Sequence, residues 1–354
     1  MSSGCFLFFT EAIKMKLGII GLPGSGKATV FDALTRQLQE EGKKTEARLG
    51  TVKVPDTRVD ILSDMYQPRK TIYAQVEYYL PAKPVSQKEQ NIWTQVRDSD
   101  AFIQVIRNFS GYGTQKPAVY NDYKTLDQDM ILTDQMVIEK RLERINQDKK
   151  KGKPFNPDEL SLLETCLTHL EKEIPLRRFN DIAGSHLLRG YGLVSAKPLL
   201  VLFNNTDEEN DLPEESRRMS DEICMIVKGK LEQELAQMSD TEAADFLKEF
   251  NITASATDRV IKASYELLGL SSFFTVGEDE VRAWTIKKET EAVDAAEVIH
   301  SDIKKGFIRA EVVSYDDLIA AGSYQEAKKK AAVRLEGKTY PVKDGDIINF
   351  RFNV

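Results

Sequence analysis

Leu17-Gly18-Ile19-Ile20, running straight into Gly21-Leu22-Pro23-Gly24-Ser25-Gly26-Lys27, is the stretch whose reading decides the fold. Four apolar or small residues make a short buried strand, and the pattern after them is G-x-x-x-x-G-K. A helix is predicted from Lys27 to about Gln39. In such a loop the glycines let backbone N–H groups turn onto phosphate oxygens. The helix N-terminus adds its positive end, and the lysine reaches the outer phosphates. A phosphate site is therefore expected at Gly21, Gly24, Ser25, Gly26, Lys27, Ala28 and Thr29. The residue after the lysine should carry a hydroxyl for Mg²⁺, and here it is Ala28. Thr29 does not simply replace it, because one step along a helix turns a side chain by about 100°. The site is expected to handle metal poorly.

Two further buried-strand runs, Ala101–Ile106 and Leu199–Phe203, are separated from the first by helical segments. That texture is the mark of a parallel, doubly wound α/β sheet. Between them the apolar positions change period. Ile131, Ile138, Leu142 and Ile145 fall at steps of seven, four and three. Leu160, Leu163, Leu167, Leu170 and Ile174 repeat at three and four. Both are coiled-coil seams. Lys151-Gly152-Lys153-Pro154 breaks the first helix, and Asn156-Pro157-Asp158-Glu159 caps and restarts the second. The expectation is an antiparallel helical hairpin inserted into the sheet domain.

Beyond about Leu268 a small mixed domain of strands around one helix is expected, of the ubiquitin-like kind. Phe273–Val276 and Val281–Ile286 read as a hairpin, Phe307–Val313 as a strand and Tyr315–Lys330 as one helix. Val333–Glu336, Thr339–Val342 and Ile347–Asn353 read as strands.

The 354 residues carry 49 basic and 56 acidic side chains, a net charge of −7, so any nucleic-acid contact must come from a local patch. No run approaches the roughly 18–20 apolar residues of a membrane span. The three cysteines, Cys5, Cys166 and Cys224, stand far apart, which fits a reducing, cytoplasmic setting without disulfides or zinc. Residues 1–14 have no basic start and only a five-residue apolar run, Cys5–Phe9. They are set aside as an extension, with Met15 the expected start of the fold. His169 and His186 sit near apolar helical positions and read as structural. No catalytic triad or metal cluster is visible, and no catalytic residue is assigned.

Several motifs together resemble the Obg-like ATPase family, whose bacterial members are called YchF. They are Met15–Thr35 (MKLGIIGLPGSGKATVFDALT), Val54-Pro55-Asp56-Thr57-Arg58, and Lys197-Pro198 followed by a strand and Asn205-Thr206-Asp207-Glu208. The tail adds Ala283-Trp284-Thr285-Ile286, Val298-Ile299-His300, Gly306–Ile319 (GFIRAEVVSYDDLI) and Arg334–Val354 (RLEGKTYPVKDGDIINFRFNV). The resemblance runs from Met15 to Val354. It implies a P-loop G domain over 15–125 and 190–268, a helical arm over 126–189, and a TGS domain of β-grasp type over 269–354. It also implies ATP bound as well as or better than GTP, because the family's base motif is N-x-x-E. That pattern gives Asn205 and Glu208 as base contacts. A second register, Asn204 to Asp207, gives N-x-x-D, which suits guanine better.

The departures concern the metal. The family's D-x-x-G after the second strand, which senses the outer phosphate and holds Mg²⁺ through water, is replaced by Leu80-Pro81-Ala82-Lys83-Pro84. Asp181-Ile182-Ala183-Gly184 spells the motif but follows the arm, and is read as coincidence. Thr45 is a loose counterpart of the first-switch threonine, so Thr29 and Thr45 are the remaining metal candidates. Val227-Lys228-Gly229-Lys230 stands where the family has its last base-recognition loop.

The family is linked to ribosome and RNA contacts. Val137–Lys153 carries seven basic residues against three acidic ones, and Lys149, Lys150, Lys151 and Lys153 at its tip are the RNA-contact candidates. The resulting expectation is a nucleotide-linked, ribosome- or RNA-associated factor with weak or absent hydrolysis, using ATP or GTP, with Mg²⁺ left open. No membrane or DNA partner is expected. The rivals are a slow ATPase or GTPase with substituted Mg²⁺ ligands, and a binding scaffold.

Overall fold

The computed structural model describes residues 15–37, 46–83, 92–110, 116–249 and 255–353. The expectations for residues 1–14 and Thr45 lie outside these residues; the first helix, expected to run to about Gln39, ends at Thr35, where Arg36 turns left-handed (φ 52°). Strand β1 (Lys16–Ile20) leads through the glycine loop into helix α1 (Lys27–Thr35). Then come β2 (Arg48–Lys53), α2 (Thr57–Tyr66), β3 (Lys70–Ile72), β4 (Gln75–Leu80), α3 (Ile92–Val96) and β5 (Ala101–Asn108). Two long helices follow, α4 (Val119–Lys150) and α5 (Pro157–Glu171), and after a short α6 (Asn180–Ala183) the chain returns as β6 (Leu199–Asn205) and β7 (Ile223–Val227). Helices α7 (Gly229–Leu235), α8 (Asp240–Glu249) and α9 (Ala256–Leu267) follow. The first sheet has the order β2-β4-β1-β5-β6-β7, and the pairs from β4 to β7 are parallel.

The chain divides into two compact units. One holds Lys16–Thr51 and Glu77–Val260, the other Val52–Val76 and the chain from Ile261 onward. In the first, β1 lies between β4 and β5, and its fully buried Leu17, Ile19 and Ile20 explain why so short a run makes a strand. Ligands in such sheets sit beyond the carboxyl ends of the strands, where the winding direction changes. The glycine loop leaves β1 at that place.

The second unit carries β8 (Leu270–Val276), β9 (Glu280–Lys287), α10 (Ala292–Ile299), α11 (Ser301–Lys305), β10 (Phe307–Ser314), α12 (Tyr315–Ala321), α13 (Tyr324–Lys329), β11 (Arg334–Glu336) and β12 (Asp346–Phe352). Its sheet order is β11-β10-β12-β8-β9-β3, with β12 parallel to β8 between two antiparallel pairs. Ala292, Ala295 and Ala296 of α10 pack on Phe273, Trp284 and Phe350, the layering of a ubiquitin-like sheet. Within this unit Arg58 is clamped by Asp56 (2.8 Å) and Asp344 (2.6 Å), which fixes the start of α2.

Three expectations change here. Tyr315–Lys330 is two helices, because Gly322 turns left-handed (φ 81°) and Ser323 caps a new start. Thr339–Val342 makes no strand; Pro341, lacking an N–H, contributes a single bridge to Glu291. More than one helix accompanies the sheet, since the segment before β10 folds as α10 and α11, with the His300 ring accepting the Asp302 N–H at 3.1 Å.

The arm closes through Ile131, Ile138, Leu142 and Ile145 of α4 against Leu163, Cys166 and Leu170 of α5; Leu160 and Leu167 flank this seam half-buried. No helix among the described residues is long and apolar enough to cross a membrane. The arm's return to the sheet is fixed by Asp134, 1% exposed, which accepts the N–H groups of Val194 (2.8 Å) and Ser195 (2.7 Å). Burial drives its carboxyl from 3.8 up to about 6, against the pull of those hydrogen bonds. An acid raised by folding binds more protons folded than unfolded, so stability falls with rising pH between the two values. Asp134→Asn should flatten the stability profile between pH 4 and 6, measured by urea unfolding. It should also destabilise the fold at every pH, because its amide nitrogen must face an N–H donor.

Candidate nucleotide site

The glycine loop has the backbone its sequence calls for. Gly24 (φ 81°) and Gly26 (φ 86°) are left-handed, a region that side-chain-bearing residues rarely enter. Gly21 leaves no room for a methyl group, which would lie 2.5 Å from Ser25 Oγ and 2.6 Å from the Val105 carbonyl. Gly26 caps α1 without a side-chain hydrogen bond, and the first turn holds no acid. The unpaired N–H groups at this helix start form an anion-binding end. The hydroxyl of Ser25, 3% exposed, has no hydrogen-bond partner among the described residues. Lys27 folds back over the loop, donating to the carbonyls of Gly21 (3.0 Å) and Leu22 (3.4 Å). Its ammonium is held below the usual lysine range, first by burial and then by the charge of Lys83.

The described residues around the loop offer little that fits magnesium. Ala28, half-buried at the hydroxyl position, offers no oxygen. The nearest carboxylate on the same helix, Asp32, is committed to Arg48 (2.6 Å) and Gln233 (2.9 Å). The end of β4 presents buried Leu80 and Pro81, then Ala82 and an exposed Lys83. Magnesium asks for several hard oxygen ligands in octahedral array. Among the described residues no group of three or more His, Cys, Asp or Glu side chains could hold a metal ion. Thr29 stands half-buried one position past Ala28.

On the base side the two asparagines at the end of β6 do different things. Asn204, 5% exposed, donates its amide to the Ser25 carbonyl (3.1 Å) and accepts the Gly229 N–H (3.0 Å). Asn205 turns away: it donates to the carbonyls of Glu209 (3.3 Å) and Asp211 (3.1 Å) and accepts from Asn108 (2.9 Å). Lys228 donates to the Asp207 carbonyl at 2.5 Å, so the loop after β7 reaches the loop after β6. Asp207 and Glu208 stand together at the start of that loop, with Glu208 exposed. Both registers can be written from the sequence, because N-N-T-D-E contains each. The signal that separates them is contact with the glycine loop, which spacing does not carry. Lys83 belongs to no motif and was not expected at this site; aligning the end of β4 with the end of β1 is what would have found it.

Lys149, Lys150, Lys151 and Lys153 are all exposed around the hairpin turn, which Gly152 closes at φ 67°. Lys153 pairs with Asp148 (3.2 Å), and Lys149 lies over the Phe155 ring. Arg141, counted with the basic group, is instead paired with Glu159 inside the arm at 2.9 Å. Asp181 to Gly184 lies on α6, where Ile182 is packed in the arm's core, remote in role from a switch. His169 stacks on Phe179 with ring centres 3.8 Å apart. Burial pushes the thiols of Cys166 and Cys224 up to about 11, the opposite of an activated nucleophile.

Comparison with known proteins agrees along the whole chain. A family model described as YchF-GTPase_C, protein of unknown function (DUF933), matches residues 270–353. The ribosome-binding ATPase YchF of Bacillus subtilis is 36% identical over 361 residues, covering 95% of this chain and 99% of its own. Its namesake from Escherichia coli O157:H7 is 34% identical, covering 96% and 99%. The solved structure of the Schizosaccharomyces pombe YchF GTPase superposes with a TM-score of 0.81 at 25% identity, over 96% of this chain and 98% of that one.

Proposed function

The chain belongs to the YchF family of ribosome-binding ATPases, and on that premise we propose that it is a nucleotide-binding, ribosome-associated factor in which hydrolysis is weak or absent. The observation that carries the reading is the glycine loop. Its left-handed Gly24 and Gly26, uncapped helix start and Lys27 support capture of a nucleoside triphosphate. The lack of a hydroxyl at Ala28 and of a carboxylate at Pro81, Ala82 or Lys83 directly after β4 argues against efficient phosphoryl transfer, which rests on positioning and on neutralising charge. Contact with the ribosome is assigned to the basic arm tip and to the C-terminal domain, in a cytoplasmic setting. The division into a P-loop domain, an arm over 126–189 and a TGS domain over 269–354 is part of the same reading.

A second reading concerns the base. The hydrogen bonds of Asn204 favour the register Asn204 to Asp207 over Asn205 to Glu208. In that register the Asp207 carboxylate accepts from guanine's ring N–H and amine, a donor pair adenine lacks, so GTP is accepted beside ATP.

Two experiments follow. Neutralising Lys149, Lys150 and Lys151 to Gln should weaken co-sedimentation with ribosomes. It should also lower the slope of log affinity against log salt by roughly 0.7–0.9 for each phosphate that is no longer neutralised; an unchanged slope removes the arm from the interface. Asp207→Ala should reduce GTP affinity by roughly tenfold or more relative to ATP, read by calorimetry, whereas Glu208→Ala should leave the ratio unmoved. The reverse result restores the Asn205 register.

A further inference from the structure

Three features meet beside the glycine loop. Strand β4 runs parallel to β1 in the register Leu17 to Tyr78 and Gly18 to Tyr79. Lys83 lies four residues beyond Tyr79, as Leu22 of the loop lies four beyond Gly18, so both follow the same ends of adjacent strands. The exit is held there: Pro81 is buried, and the Ala82 N–H donates to Gln95 Oε1 at 2.9 Å. Lys83 is exposed and has no ion-pair partner among the described residues, and its charge is felt by Lys27. Lys83 therefore leaves the sheet at the same end as the glycine loop, near enough for its charge to act on Lys27. The one acid of α1, Asp32, is already spent on Arg48.

Like charges so placed repel each other and any divalent cation, while a polyphosphate relieves both at once. We propose that Lys83 is a phosphate-binding residue that replaces the metal ion, so that this site takes nucleoside triphosphates as the free anion. The proposal rests on the reading of the loop as a nucleotide site and adds how the outer phosphates are neutralised there. A lysine differs from Mg²⁺ in a way that matters. It contributes one charge and three donors, so it can hydrogen-bond the outer phosphates without the second charge or the coordinated waters that Mg²⁺ supplies.

The test is calorimetric titration of ATP, GTP and inorganic tripolyphosphate, in EDTA and in Mg²⁺. It uses the full chain and the variants Lys83→Gln, Lys83→Asp and Lys27→Ala, each checked for an unchanged melt. The full chain should bind in EDTA at least as tightly as in Mg²⁺. Lys83→Gln should lose roughly tenfold to a hundredfold in EDTA, the scale of one charged hydrogen bond. It should lose more for the triphosphates and tripolyphosphate than for ADP or GDP. Lys83→Asp should bind measurably only when Mg²⁺ is added.

Lys83→Gln within twofold of the parent in EDTA, or a parent that binds only with Mg²⁺, overturns the proposal while leaving the nucleotide site standing if Lys27→Ala abolishes binding. A parent that binds none of the probes, or binding that survives Lys27→Ala, removes the nucleotide site and the proposal with it.

Discussion

The side-chain amide of Asn204 faces the Ser25 carbonyl with its nitrogen and the Gly229 N–H with its oxygen, so that two loops and the end of β6 share one buried group. Only an amide has a donor and an acceptor at the two ends of one short side chain. Its neighbours must be glycines, because a Cβ on Gly26 or on Gly229 would collide with it. The glycine loop is therefore tied to the ends of β6 and β7 through one side chain. The parallel sheet brings these pieces within reach of one another. β1 delivers the glycine loop, β6 delivers Asn204, and β7 delivers Gly229 at the start of α7.

The phosphate side of the same site has another electrostatic character. A helix start without acids, two lysines and a committed Asp32 make a concentrated positive region in a chain whose net charge is −7. Burial and the charge of Lys83 hold the Lys27 ammonium below the usual lysine range, and the charge of an incoming polyanion acts in the opposite direction. That character underlies the proposal of a site that grips phosphate and places a metal poorly. Grip and turnover are separable: phosphates can be bound by backbone N–H groups and ammoniums, while transfer needs the developing charge to be met in one geometry.

Much of this is legible in the sequence where local physics dominates. The glycine loop, the seam of Ile131, Ile138, Leu142 and Ile145, and the hairpin from Phe273 to Ile286 each follow from spacing that leaves one workable backbone. Other parts depend on contacts between distant residues. Asn204 and Asn205 are chemically identical neighbours, and only the partner at Ser25, 179 positions away, tells them apart. Lys83 carries no motif, and its position follows from the register of β4 on β1. The single helix expected from Tyr315 to Lys330 fails at Gly322, whose left-handed φ ends one helix while Ser323 starts another. The segment of α10 and α11 is hard to read because its alanines give little hydrophobic contrast, although they are what packs on the sheet.

The central claim, a phosphate site that binds without efficient turnover, is tested most directly by single-turnover hydrolysis. γ-labelled ATP and GTP would be mixed with excess protein, with and without Mg²⁺ and ribosomes, and released phosphate followed over hours. The account predicts that bound nucleotide is recovered intact under every condition, at the rate of the uncatalysed control. Phosphate release that depends on Mg²⁺ and disappears with Lys27→Ala would contradict it, and would mean that an oxygen ligand beyond Ala28 and the β4 exit completes a working metal site.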